Sequence, residues 1–425
     1  MNTWSLTWHG LTTMVSLEIK QRLRSRRWMW GLVAWFILIG IITALTIWSM
    51  YRIFGTESIC LIDSQGVTEC DLIEIADLTI TPAGPMAFSI IVMFILGMGL
   101  VVAPAFTATS INGDRGLGIM ATLQATRLSA VEIVGGKLIA AWLTAATFLV
   151  VALPFIVVSM VLGSISVLQV IVCFIVIFLL IAVVCAIGLG WSSVFTRAAA
   201  STVMTYVSTV ILAIISPMIM AMCTPFIEEA TTVRVWGLSQ EQWDQFYEKT
   251  NDFWEKNPNA DGSNAPLPPV DQCQWNTEIY TVTRMDRVWW MLVPNPFIIV
   301  ADASPLSEKA RQGSNEDLLS KIRQTVRELS RPPALERDSC VDLYGWNPAL
   351  WVEYLPDGTT RVVTHDGVPV NVPPSPVAPR PPSDDYPVWP WGLGMNLILG
   401  GIFFAVAVTR LKIPYAKLAK GTRVA

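Results

Sequence analysis

Long runs without a charged side chain alternate with polar stretches along this chain of 425 residues. The longest, residues 138–196, carries no Lys, Arg, Asp or Glu over 59 positions and is closed by Lys137 and Arg197. A helix that crosses a bilayer needs about 20 mainly apolar residues, so this run holds two crossings. Gly163-Ser164-Ile165-Ser166 divides them. The same criterion predicts six spans in all, at about 28–51, 86–109, 138–162, 167–195, 199–223 and 391–408.

Ahead of the first span, Trp8, Leu11, Val15, Ile19 and Leu23 recur at helical spacing, with Glu18, Lys20, Arg22 and Arg24 off that face. The pattern predicts an amphipathic helix lying along the membrane surface, a solvated basic arm being the alternative. The 27-residue region before a long apolar run does not read as a cleavable signal peptide.

The polar segment 224–387 is built unevenly. Ser239 and Gln242 have capping-box spacing, followed by an aromatic helix face of Trp243, Phe246, Tyr247, Phe253 and Trp254. A second amphipathic helix is predicted at 315–331, with Leu318, Leu319, Ile322, Val326 and Leu329 on one side. Residues 288–301 are apolar but too short to span, and Pro294-Asn295-Pro296 interrupts them, which suits an interfacial or re-entrant element. Segments 351–354 and 360–364 flank Pro356-Asp357-Gly358, a hairpin signal. Nine prolines between 369 and 390 predict an extended tether into the last span.

The fold class read from this pattern is an all-α polytopic membrane protein. It has six transmembrane helices, an N-terminal interfacial helix and a mixed extracytoplasmic insert between the fifth and sixth spans. The expected domains are 1–27, the surface helix; 28–223, spans one to five with an outer loop at 52–85 and a cytoplasmic loop at 110–136; 224–387, the insert; and 388–425, the sixth span and a basic tail.

Composition agrees. With 53% hydrophobic and 15% charged residues, the chain lies far from the roughly 25% charged residues of soluble domains. An ordinary soluble enzyme is excluded. Sorting charges by span gives sidedness. The ends and the short segments beside them (Lys20, Arg115, Arg127, Lys137, Arg197, Arg410 and their neighbours) hold 14 basic residues against 3 acidic, while the opposite side holds 15 basic and 30 acidic. Basic loops stay inside, so both termini are expected in the cytoplasm and the acidic insert outside.

Cys173, Cys185 and Cys223 fall in spans. Cys60 with Cys70, and Cys273 with Cys340, lie in the outer segments, where even pairs on an oxidising face point to two disulfides; unpaired thiols are the alternative.

Catalytic chemistry is sparse. The two histidines, His9 and His365, have no triad or zinc-ligand pattern around them. Gly135-Gly136-Lys137 is not a phosphate-binding loop, because Val131 and Leu138 stand where that loop needs Gly and Ser or Thr. No ionisable group sits at mid-span, so energy for any transport must come from elsewhere. No catalytic residue, metal ligand or cofactor is assigned to this chain, and no nucleic-acid partner is expected.

The segment between the second and third spans carries a motif. Asn112-Gly113-Asp114-Arg115-Gly116-Leu117 leads into GIMATLQATRLSAVEIVGGK from Gly118 to Lys137. It resembles the corresponding loop of ABC transporter permeases of the type-two, export class. Gly118, Leu123, Ala125, Thr126, Leu128, Ser129, Glu132, Ile133, Gly136 and Lys137 match, whereas Ala121 replaces a frequent acid and Arg127 the usual proline. The surface helix, six spans and the Asn295-Pro296-Phe297 stretch also look like those permeases, in particular actinobacterial-type ones with an enlarged outer segment.

The resemblance implies a permease subunit of the bacterial plasma membrane that exports a hydrophobic or amphiphilic compound (drug, lipid or peptide). It also implies a separate ABC ATP-binding subunit, holding ATP and Mg, and a second permease copy or homologous permease. Gly118, Met120, Leu123, Gln124, Arg127 and Glu132 are then the ATPase-coupling residues. Met93, Phe94, Met98, Thr205, Ser208 and Thr209 are candidates for the translocation path, although hydroxyl stripes also serve helix packing. A polytopic receptor, or a scaffold subunit with a ligand-binding outer domain, is the alternative.

Overall fold

Apolar runs of this length leave the backbone no partner but itself, and helices result. The structure, a computed structural model, describes residues 6–23, 26–54, 60–62, 68–70, 83–120, 123, 128–163, 165–258, 265–266, 269, 272–305, 317–340, 350–354, 360–364, 376–377 and 387–411. In chain order come α1 (Trp8–Leu23), α2 (Arg26–Phe54), β1 (Cys60–Ile62), β2 (Thr68–Cys70), α3 (Ala83–Thr107), α4 (Ser110–Gly116), α5 (Ala130–Val161) and α6 (Val167–Val194). After α7 (Ala198–Val210) a π turn, Ile211–Ile215, runs into α8 (Ser216–Cys223). Then follow β3 (Glu228–Gly237), α9 (Gln240–Lys256), β4 (Gln274–Thr283), α10 (Pro296–Ala303), α11 (Leu318–Leu329), β5 (Glu336–Asp338), β6 (Leu350–Tyr354), β7 (Thr360–Thr364) and α12 (Trp389–Leu411).

Six helical stretches are long and apolar enough to cross a membrane: Trp28–Arg52, Ala83–Gly116, Ala130–Val161, Val167–Val194, Ala198–Phe226 and Trp389–Leu411. They match the predicted spans. The second and third extend past their apolar limits, because α4 continues the second and Ser129 starts the third early. The segment 110–136 is therefore mostly helix, and only 117–129 lies between α4 and α5.

The chain divides into two units. One comprises Met1–Ala221, Trp289–Glu328 and Asp384–Ala425; the other comprises Met222–Val288 and Leu329–Ser383. The segment 224–387, read from the sequence as one insert, is thus split: its middle, with α10 and most of α11, belongs to the unit that contains the spans.

In that helical unit α12 packs along α6, α3 packs on α5 and α6, and α1 lies on α5. The core runs through Phe88, Ile91, Ile95, Leu96, Ile156, Ile177, Leu180 and Ile181, all nearly solvent-free. Glycines set some of the helix spacings: a Cβ at Gly190 would collide with Phe403 and one at Gly188 with Thr107.

The predicted non-spanning element consists of short turns. Single 3-10 turns at Met285–Arg287 and Trp289–Met291 precede α10. Asn295 caps α10 by accepting from the amides of Phe297 (2.9 Å) and Ile298 (3.3 Å), with Pro296 at the first helical position. Asp302, at the end of α10, is buried; Arg327 Nε of α11 donates to its Oδ1 at 2.5 Å, and the amides of Val388 and Trp389 donate to its Oδ2 at 2.7 Å each. It thereby caps the sixth span. In α11 Leu319 and Val326 are buried as expected, whereas Leu318 is largely exposed.

The second unit holds a three-stranded sheet in the order β4-β3-β5, antiparallel between β3 and β4 and parallel between β3 and β5. The disulfide Cys273–Cys340 joins the start of β4 to the end of β5. The capping box at Ser239 forms, with Gln242 answering the Ser239 amide at 2.8 Å. Strands β6 and β7 make the predicted hairpin. The backbone register sets Cys60 opposite Cys70, but their side chains, and so the expected disulfide between them, lie outside the described residues.

Candidate functional site

Two anchored helix ends bound the loop 117–129. On the entering side, α4 is fixed to the fourth and fifth spans. Ser192 Oγ accepts from the amides of Ile111 (2.9 Å) and Asn112 (3.2 Å), and Asn112 Nδ2 donates to Ser201 Oγ at 2.8 Å. Arg115 donates to the Ser193 carbonyl (3.0 Å) and the Arg410 carbonyl (3.4 Å), at the last turns of α6 and α12. A guanidinium there satisfies carbonyls that a helix end leaves without partners.

The chain then reverses at Gly118, whose φ of +73° lies in the left-handed region that glycine enters without a Cβ penalty. Ile119, Met120 and Leu123 are helical.

On the leaving side, Ser129 and Glu132 form a capping box. Ser129 Oγ accepts from the Glu132 amide at 3.2 Å, and Glu132 Oε2 accepts from the Ser129 amide at 2.8 Å. The other oxygen of Glu132 accepts from the amide and hydroxyl of Thr7, at 2.6 and 2.5 Å, which ties in the chain just before α1. At the other end of α1, burial pulls the Arg22 guanidinium pKa down, an effect that Glu18 partly offsets.

The coupling residues expected from the sequence therefore divide. Gly118 is the turning point. Met120 is only 3% exposed, packed with Met14, Ile111, Ile133, Val134, Leu189, Val408 and Leu411. Its side chain points inward and anchors the loop. Glu132 is likewise consumed inside the chain, because both its oxygens are occupied. Leu123 sits half-buried at the edge of the Met120 cluster, and Gln124 and Arg127 lie outside the described residues. Among the described residues of this turn, the apolar side chains presented outward are Leu117, 76% exposed, and Ile119, 42% exposed. Neither is among the expected coupling residues, and the capping box is legible in the S-x-x-E spacing of Ser129 and Glu132.

The candidate path residues are drawn into packing within the single chain. Phe94 stacks on Trp35 with ring centroids 5.3 Å apart, and Met93 and Met98 pack against the same core. Thr205 and Thr209 are buried and donate back to the carbonyls of Ser201 (2.7 Å) and Thr205 (2.9 Å). Ser208 accepts from Trp191 Nε1 at 2.9 Å. The two threonine bonds stay within their own helix, whereas the Ser208 bond ties the fifth span to the fourth, as packing hydroxyls do. Among the described residues, no group of three or more His, Cys, Asp or Glu side chains is placed to hold a metal ion.

The sequence profile of the family described as ABC-2 family transporter protein matches residues 12–251, more than half of the chain. The chain belongs to this family. It is a multi-pass membrane permease of the ABC transporter class, a transmembrane component. Permeases of this family generally form dimeric arrangements with an ABC ATP-binding partner. The match covers most of the surface helix, the first five spans and the loop 117–129, and it stops before α10, α11 and the sixth span. No curated protein matches the chain.

Proposed function

We propose that this permease exports a hydrophobic or amphiphilic compound across the bacterial plasma membrane. The energy comes from a separate ATP-binding subunit that binds ATP and Mg and seats on the loop 117–129. Both termini and this loop face the cytoplasm, and the acidic second unit faces outward. Two permease chains, identical or homologous, make the transporter.

One observation carries the reading: a short apolar turn, Leu117 and Ile119 outward with Leu123 beside them, is held between helix ends that are tied to four spans. A partner closing on ATP needs a projection that does not yield when pushed. A floppy loop would absorb the displacement; a braced turn passes it to the spans.

The test is Leu123→Asp, with Leu117→Asp as a second variant, in the permease reconstituted with its ATP-binding subunit. Each is expected to lower permease-stimulated ATP hydrolysis at least about tenfold, the loss of roughly 1.4 kcal/mol of coupling. Insertion into the membrane should be unaffected. Undiminished stimulation in both variants would falsify the assignment.

A further inference from the structure

Gly135-Gly136-Lys137, which fails as a phosphate-binding motif, lies in the first turns of α5 and has another use. The two glycines admit the surface helix. A Cβ at Gly136 would stand 2.5 Å from the Met14 side chain, and one at Gly135 would touch Leu11 at 3.4 Å. This close approach brings Glu18 of α1 to the Lys137 ammonium, with Nζ and Oε1 2.6 Å apart. On its other side the same ammonium meets Asp114 of α4 at 2.5 Å. The Lys137 side chain is 2% exposed, and Arg22 lies 3.8 Å from Glu18, so the group holds two positive and two negative charges.

Buried charges of this kind are expensive to separate. Removing one partner strands the others away from water, so the cluster favours a single arrangement of the helices that supply it. Apolar packing of Leu11 and Met14 on a glycine track would allow α1 to slide. Two short ion pairs at one ammonium fix its register, as a polar residue fixes register in a coiled coil.

We propose that Lys137 is a positioning residue that locks α1, α4 and the start of α5 into one block, so that displacement of the loop 117–129 also moves the surface helix. Because α1 leads directly into the first span, that span becomes a second route by which the push enters the bilayer. The proposal rests on the reading of the loop as the seat of the ATP-binding subunit.

The experiment uses the full transporter in proteoliposomes. Spin labels replace Thr12 on α1 and Gly116 on α4, both solvent-facing positions. In the native background one narrow distance is expected, the same without nucleotide and with ATP trapped by vanadate. Lys137→Met should broaden that distance and lower permease-stimulated ATP hydrolysis about tenfold, within the range that packed networks carry. Lys137→Arg, which keeps the charge, should restore both. Where Lys137→Met does not assemble, Glu18→Gln releases α1 alone and is read in the same way.

A distance that stays narrow without the charge, or full stimulation despite a broadened one, overturns the proposal. Leu123→Asp run in parallel keeps the two readings apart. Stimulation lost there but kept in Lys137→Met removes only the block, whereas stimulation kept in both Leu123→Asp and Leu117→Asp removes the seat.

Discussion

Gly118 holds the tightest conformational requirement at the coupling turn. Its φ of +73° is the one positive value among the described residues, and nothing crowds the space where a Cβ would go. A substitution there therefore acts through backbone strain alone. Gly118→Val should cost about 1–2 kcal/mol, the price of the left-handed region for a residue with a Cβ. A lowered melting temperature of the detergent-solubilised permease is the readout, and an unchanged one means that the turn relaxes freely. Met120 shows the opposite logic. Sequence placed it on a helix face that could equally look outward, and only the neighbours Met14, Ile133 and Leu411, distant in the chain, turn it inward. Leu117 and Ile119 stay exposed on the same turn.

Among the elements, the fifth span shows how one residue's chemistry is completed by another element. Pro217 has no N–H to return to Ala213, four residues back, or to Leu212, five back, and the π turn Ile211–Ile215 sits at this break. Both carbonyls are served by side chains: Ser216 Oγ donates to Leu212 at 2.9 Å, and Asn295 Nδ2 donates to Ala213 at 2.9 Å. Asn295 thus caps α10 with its oxygen and mends the fifth span with its nitrogen. Asn396 of α12 in turn donates to the Pro294 carbonyl at 3.0 Å. The Pro294-Asn295-Pro296 interruption is therefore a junction between the fifth and sixth spans.

Asn295→Ala leaves two α10 amides and one carbonyl without their partners and should destabilise by about 1–3 kcal/mol. Pro217→Ala supplies a competing donor, so the same Asn295→Ala change should cost less in that background. A double-mutant cycle of thermal unfolding measures the difference, and strict additivity would show the two positions to be uncoupled.

At the scale of the whole molecule, the disulfide Cys273–Cys340 closes a separation of 67 residues within the second unit. A loop of that length implies about 4 kcal/mol of stabilisation in the chain-entropy account. Cys340→Ser should lower the melting of that unit and open it to proteolysis, while the spans keep their protection. Equal loss of protection in both units would mean that they unfold together. The same division sets the middle of 224–387 apart from its flanks. Its middle returns to the spans because α10 and α11 carry buried partners there: Asp302 for the first turn of α12, and Asp317, whose Oδ2 accepts from Ser89 Oγ of α3 at 2.5 Å.

The six spans, the surface helix, the two capping boxes and the disulfide from Cys273 to Cys340 were all present in the linear order of residues. Each depends on local or compositional rules: run length against bilayer thickness, helical period, cap spacing and cysteine pairing. The motif from Gly118 to Lys137 likewise carried the family. What the chain order withheld are contacts between residues far apart in it. Glu18 and Lys137 look like ordinary solvated charges at a membrane edge, 119 positions apart, and become partners only when paired glycines let α1 settle on α5. Thr205 and Thr209 read as packing or as path, and the structure buries both against carbonyls of their own helix. A helix's period tells which residues share a face; which neighbour that face meets is decided by how all the helices fill space together.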